Sequence, residues 1–131
     1  MPKIAELGPL ELEVMQIVWE RGASTVRDVI GALNTEGRKP AYTTIQTIMT
    51  RLEEKGFLAH KAEGVSYRYT AKISKKRVQH SLLSRFVDQV FDGAVGPLVA
   101  SLAESKKLTA EDIEQLRKVL QTMKDELRIK N

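Results

Sequence analysis

The sequence contains no cysteine. A disulfide framework, a thiolate metal site and a cysteine nucleophile are therefore closed to it, and so is capture of Cu(I) by soft ligands. No apolar run approaches the roughly 20 residues that span a bilayer. No charged start followed by an apolar segment marks a signal peptide, so a cytoplasmic protein without direct membrane insertion is expected. Aromatic residues are sparse, with one Trp, three Tyr and three Phe, which leaves little to line a ligand pocket. There is no phosphate-cradling glycine loop, no HExxH and no nucleophile–base pair at a productive spacing, so an enzyme is not expected. His60 and His80 stand apart from each other and from any acidic cluster, which argues against a metal site. No cofactor is implied. At 131 residues the chain holds one domain, or one small domain with an attached helical module.

What is present is concentrated in Tyr42-Thr43-Thr44-Ile45-Gln46-Thr47-Ile48-Met49-Thr50-Arg51-Leu52-Glu53-Glu54-Lys55-Gly56. At helical spacing Ile45, Ile48, Met49 and Leu52 form one narrow apolar stripe, enough to dock the helix. Thr43, Thr47 and Thr50 fall opposite, with Thr44 and Arg51 on one flank and Gln46 on the other. Docking does not need a row of small hydrogen-bonding side chains beside an arginine. The floor of a DNA major groove does, because hydroxyls, amides and guanidinium meet base edges and phosphates there. Thr43, Thr44, Thr47 and Arg51 are the expected contacts, with Gln46 beside them and Thr50 one turn farther from the groove floor. Tyr42 either stacks on a sugar or packs at the helix entrance. Glu53 and Glu54 would be repelled by phosphate, which lifts that end of the helix from the backbone. Gly56 supplies the left-handed terminator.

Two helices are expected before this one. The first runs from about Pro9 to Arg21, with Gly8 and Pro9 at its start and Leu10, Val14, Ile17 and Val18 inward. Trp19 is expected in the core. The second starts at a Thr25/Asp28 capping box, buries Val26, Val29, Ile30 and Leu33, and ends near residues 34–37. After the third helix, residues 57–70 alternate as two strands around a turn at Glu63-Gly64. Tyr67 and Tyr69 share one face of that hairpin, and His60, Ser66 and Arg68 are expected on the other, near Lys61. Helix, helix, recognition helix, hairpin is the order of a winged helix-turn-helix, and Lys61 and Arg68 are its expected wing contacts to DNA.

Charge follows the same division. The formal net charge is a modest +4. Residues 38–77 hold ten Lys/Arg against Glu53, Glu54 and Glu63, whereas residues 1–37 hold three against six acids. A basic run is ordinarily a solvated face. Here it coincides with the recognition helix and wing, where neutralised phosphates release counterions and give salt-sensitive affinity. The competing reading is a winged-helix protein-interaction module without sequence-specific DNA binding. It would need neither the threonine row nor the basic wing. A ligand-sensing repressor is the rival within the DNA-binding class, and it would need a pocket.

From about Ser74 onward the chain is expected to be helical. Ser74 caps a helix carrying Val78, Leu82, Leu83, Phe86, Val87, Val90 and Phe91, ended by Asp92-Gly93. Pro97 is expected to open a short helix with Leu98, Val99 and Leu102 buried. Thr109 and Asp112 cap a last helix, in which Ile113, Leu116, Leu120, Met123 and Leu127 follow the 3, 4, 3, 4 spacing of an a/d seam. Such helices cannot bury their apolar faces alone, so a twofold interface through that seam and through Leu82, Phe86 and Val90 is expected. The fold class is mainly α with a small β-wing: a winged helix-turn-helix domain over residues 1–72 and a helical dimerisation domain over residues 73–131.

These residues resemble the penicillinase-repressor (BlaI/MecI/CopY) family of bacterial transcriptional regulators. The resemblance rests on Leu12-Glu13-Val14-Met15-Gln16-Ile17-Val18-Trp19, on Thr25-Val26-Arg27-Asp28-Val29, and on Tyr42-Thr43-Thr44-Ile45-Gln46-Thr47 with Arg51-Leu52 and Lys55-Gly56. In the wing it rests on Lys61-Ala62-Glu63-Gly64 and Tyr67-Arg68-Tyr69. It implies a homodimer that binds a palindromic double-stranded DNA operator and represses β-lactam-resistance-type or related genes. It also implies release through a membrane-bound metalloprotease sensor, encoded nearby and triggered by β-lactam, that leads to cleavage in the dimerisation region. Copper-responsive relatives carry C-terminal cysteines, which this chain lacks. The cleavage segment of lactam-responsive members resembles Leu98-Val99-Ala100-Ser101-Leu102, with an Asn-Phe pair where Ser101-Leu102 stands here.

Overall fold

The structure, a computed structural model, describes residues 2–130, with side chains to residue 129. After a short 3-10 turn at Ile4–Glu6, α1 spans Pro9–Arg21. Its N-terminus is closed by Glu11, whose carboxylate accepts the Gly8 N–H at 2.9 Å. The second helix, α2, spans Val26–Thr35. Here the Thr25 hydroxyl accepts the Asp28 N–H at 3.1 Å and the Asp28 carboxylate accepts the Thr25 N–H at 2.9 Å, so two donors orphaned at the helix end are satisfied reciprocally. The third helix, α3, spans Tyr42–Glu54. Gly56 ends it at φ +90°, its N–H bonding the Glu53 carbonyl while the Phe57 N–H bonds that of Leu52. That pattern is a Schellman motif, and it buries Phe57 against the helix it terminates.

One core lies under these helices. Val14, Met15 and Val18 of α1 meet Val29 and Leu33 of α2 and Ile45, Met49 and Leu52 of α3, with Phe57, Leu58, Tyr69, Ile73 and Val78 closing the cluster. Trp19 is half-buried rather than enclosed. Its ring packs on this core while its indole N–H donates to the Ile73 carbonyl at 2.9 Å, as an aromatic with a polar edge requires.

Two strands form the wing: β1 (Leu58–Glu63) and β2 (Ser66–Ala71), antiparallel, with His60 opposite Tyr69 and Lys61 opposite Arg68. The loop is the two residues Gly64 and Val65, and Gly64 takes φ +63°, as the first position of a II′ turn demands. The expected grouping of His60 with Ser66 and Arg68 is corrected by this register. A two-residue loop pairs even positions of one strand with odd positions of the other. His60 therefore stacks on Tyr67 at 4.2 Å and lies 5.7 Å from Tyr69, and Lys61 shares its face with Arg68. Ser24, fully buried between α1 and α2, exchanges two main-chain hydrogen bonds with Tyr69, at 2.9 and 2.8 Å. The wing is thereby stitched to the scaffold helices through its backbone.

The fourth helix, α4, spans Lys75–Phe91. Ser74 caps it, its hydroxyl accepting the Arg77 N–H at 3.1 Å. The chain divides into two compact units, the first through Leu83 and the second from Ser84. The first unit thus continues past residue 72 into α4, because Val78 is buried in its core and Leu82 packs on it. In the second unit α5 spans Val95–Glu104 and α6 spans Ala110–Lys130. Pro97 does not open α5 as expected. Ala94 is the N-cap, and Pro97 sits inside the first turn, where its missing N–H has no intrahelical partner to lose. At the start of α6 the reciprocal Thr109/Asp112 bonds measure 3.1 and 3.0 Å.

Among the described residues of the first unit one acid is buried, Glu11, paired with Lys55 Nζ at 3.0 Å. Burial alone would raise its pKa. The Gly8 N–H and the Lys55 ammonium outweigh burial and hold it below the usual carboxylate range. Asp28 is lowered too, chiefly by the Thr25 N–H. Both folded values lie below the unfolded ones, so their stabilisation is complete above the unfolded pKa, about 4, and is lost as pH falls through the folded values. The urea midpoint should decline from about pH 4.5 downward. Glu11→Gln should make that decline shallower, and identical slopes for the two proteins would refute the assignment.

Candidate nucleic-acid interface

The inward side of α3 is spent on the core, since Ile45, Met49 and Leu52 are fully buried. Its outward side presents Thr43, Thr44, Gln46, Thr47, Thr50 and Arg51, all exposed. Among the described residues the side chains of Thr43, Thr44, Gln46, Thr47 and Arg51 make no hydrogen bond or ion pair. Exposed donors and acceptors without internal partners, on a helix fixed by three fully buried side chains, form a rigid array for an outside ligand. Thr50 differs, because its hydroxyl lies against the Tyr69 phenol. Burial pushes that phenol's pKa up, and the Thr50 hydrogen bond pulls the other way. Tyr42, at the entrance of α3, is 44 % exposed, and the Arg27 guanidinium lies 5.6 Å from its ring centre. Neither expectation for Tyr42 anticipated that partner, because Arg27 belongs to α2 and no periodicity in α3 points to it.

The wing places its two expected cations differently. Lys61 is exposed, with no ion pair among the described residues. Arg68 is turned inward: its Nε donates to Glu63 at 2.6 Å, its Nη1 donates to the Ala23 carbonyl at 3.3 Å, and Asp28 lies 3.8 Å away. Those contacts tie β2 to the start of α2. The Glu63 hydrogen bond and charge, with Asp28 behind them, raise the pKa of Arg68. Glu53 also has a definite role. Both its oxygens meet His60 Nδ1, at 2.7 and 2.6 Å, and one accepts the His60 main-chain N–H at 3.2 Å. Glu53 thus clamps the start of the wing to the end of α3, while Glu54 stays exposed. His60 is a clamp residue, and no three metal-ligating side chains converge among the described residues.

The second unit offers apolar surface instead. Phe86, Val90, Ile113, Leu120, Met123 and Leu127 are 47–60 % exposed, and Leu116 is 39 % exposed. No described side chain of α6 is buried. Leu82 differs from these, packing on the core of the first unit. In α5, Ser101 is exposed, Leu98 and Leu102 are half-buried, and Val99 is exposed rather than buried as expected. No single helix among the described residues is long and apolar enough to cross a membrane.

Known proteins match this architecture over nearly its whole length. The penicillinase repressor family model matches residues 7–122. The chain is 33 % identical over 130 residues to the penicillinase repressor of Bacillus licheniformis, covering 95 % of this chain and 97 % of that protein. It is 28 % identical over 118 residues to the methicillin resistance regulatory protein MecI of Mammaliicoccus sciuri, covering 90 % and 95 %. Among solved structures, the DNA-binding domain of the repressor BlaI superposes with a TM-score of 0.50 at 36 % identity, covering 57 % of this chain and 90 % of that domain. Fold and sequence agree: the chain belongs to the penicillinase repressor family.

Proposed function

We propose that this chain is a cytoplasmic transcriptional repressor that binds a palindromic operator as a homodimer. The winged-helix part, residues 1–72, reads DNA, and the helical part after the first unit's end at Leu83 joins the two copies. The observation that carries this reading is the unpartnered outward face of α3. Thr43, Thr44 and Thr47 sit nearest the bases with Gln46 beside them, and Arg51 and Lys61 face phosphates. Arg68 acts from within, holding the wing at the angle that lets Lys61 reach the backbone. The exposed seam of Ile113, Leu116, Leu120, Met123 and Leu127, with Phe86 and Val90, is the surface a second copy would cover. Two copies related by a twofold axis address the two halves of a dyad.

The two contact classes separate by salt and by sequence. Lys61→Ala should weaken binding to operator and random duplex alike and reduce the salt slope by about one per chain. Thr44→Ala should cost more on operator than on random duplex. Equal losses on both duplexes for both variants would take base reading away from the threonines. Binding that ignores salt and sequence would favour a protein-interaction module instead.

Release by proteolysis is the further part of the reading, with a membrane-bound metalloprotease sensor encoded nearby as the upstream partner. The segment 93–107 has a weak joint on each side of α5: Asp92 and Gly93 take φ +53° and +78° before it, and Lys106 takes +57° after it. Ser101-Leu102 lies inside α5, so the helix must unwind before a protease can hold that bond extended. Treating cells that carry this chain with a β-lactam should yield a fragment ending at Ser101 by mass spectrometry, together with derepression. An intact chain with derepressed genes would point to another releasing signal, and no derepression would remove the β-lactam reading.

A further inference from the structure

We propose that Arg27, on the scaffold helix α2, is a DNA-backbone contact: Tyr42 holds its guanidinium at the rim of the crevice between α2, α3 and the wing, where it grips one phosphate of the operator duplex. This rests on the DNA-binding reading above and assigns it a contact outside the recognition helix and wing tip.

The crevice has a volume of ≈ 270 Å³ and is lined by Thr25, Arg27, Tyr42, Gln46, Ser66 and Tyr67, together with Val26, Val65 and Tyr69, whose phenol lies against Thr50. Each of the first six side chains carries a hydrogen-bond donor, and no carboxylate lines the space. A wall of donors with one fixed cation suits an anion with several acceptor oxygens. Arg27, like Arg51, differs from the four arginines that are paired to carboxylates. Arg21 has Asp28, Arg38 has Glu13, Arg68 has Glu63 and Arg117 has Glu114. Among the described residues Arg27 has no carboxylate within ion-pair distance, and its neighbour Asp28 is held by Thr25, Arg21 and Arg68. The guanidinium lies over the Tyr42 ring, 5.6 Å from its centre, and with no carboxylate paired to it its N–H groups are available to a bidentate anion.

The occupant is a phosphate of the DNA that α3 reads, because Gln46 belongs to both surfaces. It lines this crevice and stands beside Thr47 and Arg51 in the adjoining one. A strand whose bases meet the outward face of α3 therefore has its backbone within reach of the crevice.

The test begins with a duplex selected by the native chain from random-sequence DNA. Arg27→Gln should lower affinity for that duplex and for an unselected one by the same factor, and reduce the slope of log K against log salt by about 0.9 per chain. Arg27→Lys should keep the slope but recover only part of the affinity. Scanning the selected duplex with single neutral methylphosphonates should find one position per half-site where native chain and Arg27→Gln bind equally. Tyr42→Leu should weaken the native chain more than it weakens Arg27→Gln. The Arg27 side-chain NH resonance should shift with the duplex and not with inorganic phosphate at matched ionic strength. An unchanged slope with no such methylphosphonate position would overturn the contact while leaving the DNA-binding reading intact. An equal shift with inorganic phosphate would make this an isolated anion site rather than a backbone contact. If the native chain selects no duplex, both readings fall.

Discussion

Leu120→Glu is expected to leave the chain monomeric at micromolar concentration and to lower affinity for a dyad operator by about 10²–10⁴-fold, the usual gain from linking two half-site binders. Leu120 is 56 % exposed in the single chain, so a carboxylate there is solvated and the protomer tolerates it. In the proposed dimer the same carboxylate would be buried without a partner, which costs several kcal/mol. This asymmetry makes the substitution informative: it targets association while sparing the first unit, whose core contains no residue of α6. Sedimentation should give a single-chain mass, and the amide spectrum of residues 1–72 should stay unchanged. A native chain that already sediments as a monomer, or a variant that remains dimeric, would remove the seam from the interface.

Phe57→Ala should have the largest effect on folding. Phe57 is fully buried, follows the glycine that ends α3, and accepts the Lys72 N–H on its carbonyl at 2.8 Å. Its side chain packs in the core shared by α3 and the wing, and its main chain ties that junction to the approach to α4. Truncating a buried phenylalanine costs about 3–5 kcal/mol, against a total of about 5–15 kcal/mol for a typical domain. Urea denaturation should show a midpoint lowered by a large fraction of its value, and operator binding should fail at temperatures where the native chain binds. A midpoint within error of the native one would mean that the helix–wing junction is not a keystone of the first unit.

Much of this was legible before any coordinates, and the parts that were not share a physical cause. The bounds of α1 and the capping box of α2 follow from local chemistry, because Pro9, Thr25 and Asp28 act on backbone within three residues of themselves. The outward face of α3 follows from one periodicity. The wing's two faces did not follow, because a hairpin's pairing depends on loop length, and a loop of Gly64 and Val65 sets His60 against the tyrosines. Arg68 looked like a DNA contact by charge and position. Its nearest partner, Glu63, lies across the hairpin, but Ala23 and Asp28 lie some forty residues away, beyond any local pattern. Ser24 gave no signal either: a serine in a turn does not announce a two-bond bridge to Tyr69. Val99 looked buried because an apolar residue in an apolar helix usually is, and the single chain leaves it at the surface.

The absence of any buried side chain among the described residues of α6 has a quantitative consequence for control. If association alone covers that helix, then at chain concentrations below the dimer dissociation constant the population able to span both operator halves grows as the square of chain concentration. Halving the chain then quarters that population. A signal that removes only part of the repressor would empty the operator more than proportionately, so the response would steepen without any ligand pocket or cooperative array of sites.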